Sequence, residues 1–344
     1  MAYTTIPKSS AHFTPTAFTG TQPNTQTVTT GTFQPDFTWF KSRFQAQAHM
    51  LFDAVRGAGK LLATNNVNAQ GTNTGYQSAW TSTGVTVGNS AETNGAGNMV
   101  VWSWKANGAG SSNTDGSITS TVSANTTSGF SIVKYTGNGT AGATIGHGLG
   151  AVPKMTIIKS MTAGEDWIIP PLNDPTKYVV LNSTGVGGNG VGPFNNTAAT
   201  SSVFSVGTWG TTNGNSQTLI AYCFADVQGF SKIGSYIGNG NATTPTFTYL
   251  GFKPAFVLIK NLSQADAWFL HDSKRDGFND DNEYLRPNLT DADSSGINRI
   301  RLLSNGFSVP TTDKSHNVNG NNYLYMAFAE EPLVSTNGTP ATAR

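Results

Sequence analysis

The chain repeats itself three times, and the copies align residue for residue over their central stretch. Each carries a proline and then a six-residue run ending in lysine: Pro35 to Lys41 (PDFTWFK), Pro153 to Lys159 (PKMTIIK) and Pro254 to Lys260 (PAFVLIK). Eight residues after each lysine stands His49, Trp167 or Trp268, and four further on Asp53, Pro171 or Asp272, with no gap. Self-similarity at a fixed period means that each copy is one structural unit. It also means that residues shared by the copies serve the fold first.

The copies span 11–106, 129–228 and 229–334. Each opens with two strands around a polar turn. FTWF, MTIIK and FVLIK follow, apolar on both faces as in a central buried strand. A third strand carries the ring residue (HMLFD, WIIP, WFLHD), and a fourth ends in Asn65, Asn182 or Asn288. The segment FQAQAHMLFDAVRG has a helical look, but its register in the repeat argues for strand. A closing hairpin contains Asn94-Gly95, Asn213-Gly214 or Asn319-Gly320, a pair suited to a type I′ turn. About seven strands in roughly 95 residues predicts an all-β chain of three tandem antiparallel β-sandwich modules, jelly-roll or lectin-like.

Composition agrees. Charged residues are only 11% of the 344, while Thr and Asn, which suit strands and turns, are abundant. Seven Trp, ten Tyr and nineteen Phe argue against disorder. A net charge of +1 without a basic block makes nucleic acid a poor partner. No apolar run approaches the roughly 18 residues of a membrane span, so no membrane insertion is expected. Residues 107–128, rich in Gly, Ser, Thr and Asn without periodicity, read as a flexible linker. Residues 1–10 read as an N-terminal extension and 335–344 as a coil-like tail. Only ADVQG joins copies two and three, which predicts a rigid pair with copy one on a looser joint.

Catalytic patterns fail on inspection. Gly137 to Gly142 (GNGTAG) fits G-x-G-x-x-G, but ATIGHGLG after it is no helix to hold a pyrophosphate. In GAGK (Gly57 to Lys60), Leu61 replaces the Ser or Thr of a phosphate loop. The five histidines lack metal-ligand spacing, and His49 stands where other copies place Trp. Cys223 aligns with Ser103 and Ala327, which marks a tight packing site and not a reactive thiol. Asp53 with Arg56, and Asp272 with Arg275, suit ion pairs that pin a loop. The acidic stretch Asp276 to Glu283 could offer oxygens to Ca²⁺ but misses EF-hand spacing. The expectation is therefore a protein with no cofactor and no catalytic or metal residues. Trp102 and Trp104 share a strand face and read as core. Trp80 and Trp209 lie in or beside polar loops, where a ring suits sugar stacking or a protein interface. They are the candidate ligand or receptor contacts.

The segments YTGNGT, GHGLGAVPKMTIIK, SNGF, YLYMAFAEEP and GTPATAR, with the DxVRG step of copy one, resemble a repeat domain of tailed-bacteriophage structural proteins. Those relatives are mostly from marine and cyanobacterial phages and are described as tail-fibre-like. The resemblance covers copies two and three well and copy one more loosely, whose opening holds eleven Thr in 32 residues. It implies a virion protein, assembled in the host cytoplasm, whose partners are other virion proteins and a host surface glycan. A homo-oligomer, with a trimer first, is expected by the same analogy. A short tail fibre or host-attachment appendage is the first reading. A capsid decoration or head-fibre protein is the second, and a polysaccharide-degrading enzyme the third.

Overall fold

The computed structural model describes residues 4–275, 279, 283–332 and 334. The chain is all-β, built of antiparallel sheets none of which closes into a barrel. One strand order recurs in all three copies. The opening strands (Phe13–Thr19, Phe130–Thr136, Ser231–Ile237) pair with the closing strands (Asn98–Trp104, Thr218–Phe224, Asn322–Pro332). Each closing strand pairs on its other side with a proline-to-lysine strand (Phe37–Ser42, Met155–Ser160, Phe252–Asn261). Next come Met50–Asp53, Ile168–Ile169 or Trp268–Asp272, so FQAQAHMLFDAVRG does supply a strand. A smaller sheet in each copy pairs Gln26–Thr29 with Gly84–Val87, Ala143–Gly146 with Val203–Val206, and Phe247–Tyr249 with Gly306–Ser308.

The looser joint is not there. Within 107–128, Ser120–Asn125 pairs along its length with the opening strand of copy two, and Ser111–Asn113 pairs with it in turn. Ile118 forms a parallel bridge to Ile145, and Thr144 donates its N–H to Ser117 Oγ at 2.9 Å. Ser and Thr suit an edge strand as well as a linker, and composition does not separate the two. The buried alternation of Ser120 and Val122 does. Nor is the described part of the N-terminal extension loose: Thr4 and Ile6 are buried, and Ile6 belongs to the central core. The tail 335–344 lies outside the described residues.

One apolar core serves all three copies. At its centre the last aromatic of each closing strand, Trp104, Phe224 and Phe328, meets the other two. Their ring centroids stand 6.4 Å (Trp104–Phe224), 5.5 Å (Trp104–Phe328) and 5.8 Å (Phe224–Phe328) apart. Equivalent residues touching pairwise define a pseudo-three-fold axis within one chain. The repeat lysines close the same cycle. Lys41 Nζ donates to Thr290 O of copy three (3.1 Å), Lys159 to Val67 O of copy one (2.9 Å), and Lys260 to Thr184 O of copy two (2.9 Å). Trp167 and Trp268 likewise donate Nε1 to Ala63 O and Val180 O of the preceding copy. His49 breaks the pattern and accepts from Trp39 within its own copy at 2.9 Å. Burial pushes each of the three lysines down to about 8, although nearby carboxylates act the other way. The carbonyls around each ammonium offset that desolvation.

The Asn-Gly pairs do not form type I′ turns. Asn94 and Asn213 end one-turn helices (Ala91–Asn94, Gly210–Asn213), are fully buried, and lack positive φ. Asn213 Nδ2 donates to Gly207 O and Thr140 O, while its Oδ1 accepts from Asn138 N. Asn94 does the same with Gly88 O, Asn24 O and Thr21 N. The third member is Asn317, not Asn319: it donates to Thr311 O and accepts from Asn239 N. Asn319 is exposed. The side chain is what these positions require, because it ties the closing turn to the opening strand's turn. The glycine after it is not shared, since Val318 follows Asn317.

Candidate functional site

The residues that sequence patterns single out as chemistry are absorbed by the seams between copies. Arg56 is ion-paired with Asp53, both buried, and donates to Leu51 O, while Tyr222 of copy two donates its hydroxyl to Asp53 Oδ2 at 2.8 Å. In copy three Arg275 bonds Asp272 and Asp293 (2.7 Å each), and Trp102 of copy one donates to Asp272 Oδ2 at 3.0 Å. Burial alone would lower both guanidinium pKa values, yet the aspartates hold them above the ordinary range. The third seam dispenses with charge: Pro171 replaces the aspartate, and Met326 occupies the strand position of Tyr222 and Trp102. Cys223 is buried and its thiol pushed up to about 12 by burial, as a packing residue would be. Among the described residues no three His, Cys, Asp or Glu side chains gather as metal ligands. The acidic stretch Asp276 to Glu283 falls mostly outside the described residues. Glu283, which is described, bonds Arg43.

The two candidate tryptophans part company. Trp80 lies on the strand Gln77–Thr81, half-buried against the core of copy one. Trp209 stands 37% exposed at the cap position of the helical turn Gly210–Asn213. The other copies cap that turn with polar side chains: Ser90 accepts from Glu92 N, and Asp313 accepts from Ser315 N at 2.8 Å. Trp209 makes no capping bond. Such a cap is worth about 1 kcal/mol, which copy two forgoes to present an indole. The ring sits over Gly192, where a Cβ would lie 1.9 Å from the indole nitrogen, so only glycine fits beneath it. Tyr178 meets it edge to face at 5.1 Å.

Tyr178 in turn lines a groove of about 260 Å³ at the margin between copies two and three. Lys177, Val186 and Asn189 line the groove from copy two, and Leu262 from copy three. A tyrosine ring, an ammonium and an amide around the groove, with the indole beside the tyrosine, can stack on a pyranose and bond its hydroxyls. Sequence reading reaches Trp209 but misses Tyr178, which looks like an ordinary strand residue in KYVV. Comparing the capping position across copies, Ser90, Trp209 and Asp313, is the signal that would have found the site.

A second feature was also missed. Along the edge strand Phe247–Tyr249 the pattern is inverted: Phe247 and Tyr249 are 46% and 48% exposed, while Thr248 is buried. The equivalent strands point Val28 and Ile145 inward and Thr27 and Thr144 outward. In copy two this edge is covered by Ser117 and Ile118 of the chain itself.

Residues 8–332 match a protein family described as a domain of unknown function (DUF7483). Neither a curated protein nor a solved structure matches the chain.

Proposed function

We propose, for a chain that belongs to the DUF7483 family, the role of a non-enzymatic bacteriophage virion protein, a short tail fibre or host-attachment appendage. On this reading three tandem β-sandwich modules form a rigid body that presents a glycan-contact face on the second module. The observation that carries it is Trp209: an exposed indole replaces a stabilising cap, beside Tyr178 and its groove. The resemblance to phage structural repeats supplies the virion and the host surface. A homo-oligomer would use surfaces outside the ring of seams, because the three-fold contacts are already made within one chain.

Trp209→Ser supplies the test. It restores a polar cap worth about 1 kcal/mol but removes the ring packed on Gly192 and Tyr178, so urea unfolding is measured beside binding. Binding of the purified protein to host cells should fall at least tenfold. Unchanged binding with intact folding would overturn the glycan-contact face.

The inverted edge strand favours the second reading, a capsid decoration or head-fibre protein. Phe247 and Tyr249 on a sheet edge suit strand addition by a neighbouring virion protein, as Ser117 and Ile118 add to the matching edge of copy two. Electron microscopy of labelled virions separates the two: density at the tail supports attachment, and density on the shell supports decoration. Cleavage of host polysaccharide by the purified protein would favour an enzyme instead.

A further inference from the structure

We infer that copy three carries an acid-sensitive lock, in which the stacked hydrogen bonds of His271 and His316 hold its closing turn, residues 313–317, against the sheet. Both imidazoles are buried, and their Nε2 atoms stand 3.0 Å apart. The direction of the chain is fixed from its far end. Ser315 Oγ donates to Asp313 Oδ1 at 2.5 Å, so it accepts from His316 Nδ1, which lies 2.6 Å away. His316 therefore keeps its proton on Nδ1 and offers a bare Nε2 to the Nε2–H of His271. Adding a proton to His316 Nε2 would set two N–H groups against each other.

The surroundings give little relief to a second charge, although the Glu283 carbonyl favours protonation of His271. Arg299 stacks on Tyr284 (4.3 Å) and Phe269 (5.5 Å), the rings that flank the pair. Arg275 follows the strand that bears His271, and both arginines disfavour protonation. Val257 faces His271 across the sheet. Of the acids nearby, Asp313 is engaged by Ser315 and Arg299, and Glu283 by Arg43. Burial, first, and these cations hold both imidazoles well below the usual histidine range. The opened turn titrates near the ordinary value of about 6.5. Depressed folded values mean that the open form binds more protons as pH falls, so the closed form is favoured above about 6.5 and loses ground below it.

Opening would free Asn317 from Thr311 O and Asn239 N, and His316 O from the Tyr236 hydroxyl. Copies one and two lack the device. Phe52 and Pro170 stand at the His271 position, and Thr93 and Thr212 at that of His316, so acid should open this turn in copy three alone, whereas the buried His49 and His147 of the other copies lie away from their turns in the sequence.

Hydrogen exchange with mass spectrometry on the whole protein, read as protection factors at pH 7.5 and 5.0, tests this. Peptides covering 306–325 should lose at least about thirtyfold of their protection, the effect of one imidazole titrating near 6.5. Peptides covering 87–104 and 203–224 should change by less than threefold. The double variant His271→Phe/His316→Thr, which copies repeat one, should abolish the difference. A uniform loss over all three copies, or none in 306–325, would overturn the lock even if the variant fails to fold.

Discussion

At the scale of single residues, buried amides tie the turns together. Asn213 satisfies three backbone groups inside the fold. Each buried group left unmet costs about 1–3 kcal/mol, so Asn213→Ala should lower stability by about 3 kcal/mol or more. Asn319→Ala, at an exposed site, should stay within about 0.5 kcal/mol. Urea unfolding of the two variants checks both, and equal effects would return the Asn-Gly turn to favour. The sequence marks the asparagines but not their role. An Asn-Gly dipeptide reads as a turn because local conformation is all that a dipeptide reveals, whereas the bonds here reach residues some 70 positions away. Only the third copy, where Asn317 has no glycine after it, separates the two readings.

Among the elements, the proline-to-lysine strands are the most legible and the most consequential. Their double-sided apolar pattern predicts central strands, and every residue of Phe37–Ser42 and Met155–Ser160 is buried. The lysine at each end looks like a solvated terminus in sequence, yet it spans a seam to another copy. That could not be read locally, because the acceptors are backbone carbonyls of loops with no shared motif. Titration gives a test. With folded values near 8 against about 10.5 unfolded, the folded state binds fewer protons between those limits, so stability should rise with pH there. The rise is bounded by about 1.4 kcal/mol per pH unit for each lysine. Lys159→Met should lower the slope measured by urea unfolding between pH 8 and 10, by at most about 1.4 kcal/mol per pH unit, with the buried Cys223 thiol opposing the lysines in both proteins. An unchanged slope would mean that the ammonium is hydrated and the seam bond transient.

For the molecule as a whole, repeat counting predicts three equivalent units but misplaces their relation. The unequal spacers predict a rigid pair with copy one on a looser joint, because a spacer's composition says nothing about what the copies bury between them. The deciding residues are the aromatics Trp104, Phe224 and Phe328, which sequence alignment marks as core without saying whose core. They converge on one axis, so no copy can lose its closing strand without exposing the centre of the other two. Unfolding should therefore be a single calorimetric transition in which van't Hoff and calorimetric enthalpies agree, despite the length of the chain. Phe224→Ala removes a ring wedged between the other two and should cost about 3–5 kcal/mol. The loss should appear as faster hydrogen exchange in the central strands of all three copies. If the copies were independent, the variant would loosen residues 129–228 alone and leave two transitions at their original temperatures. That outcome would reduce the central cluster to a contact between separately stable modules.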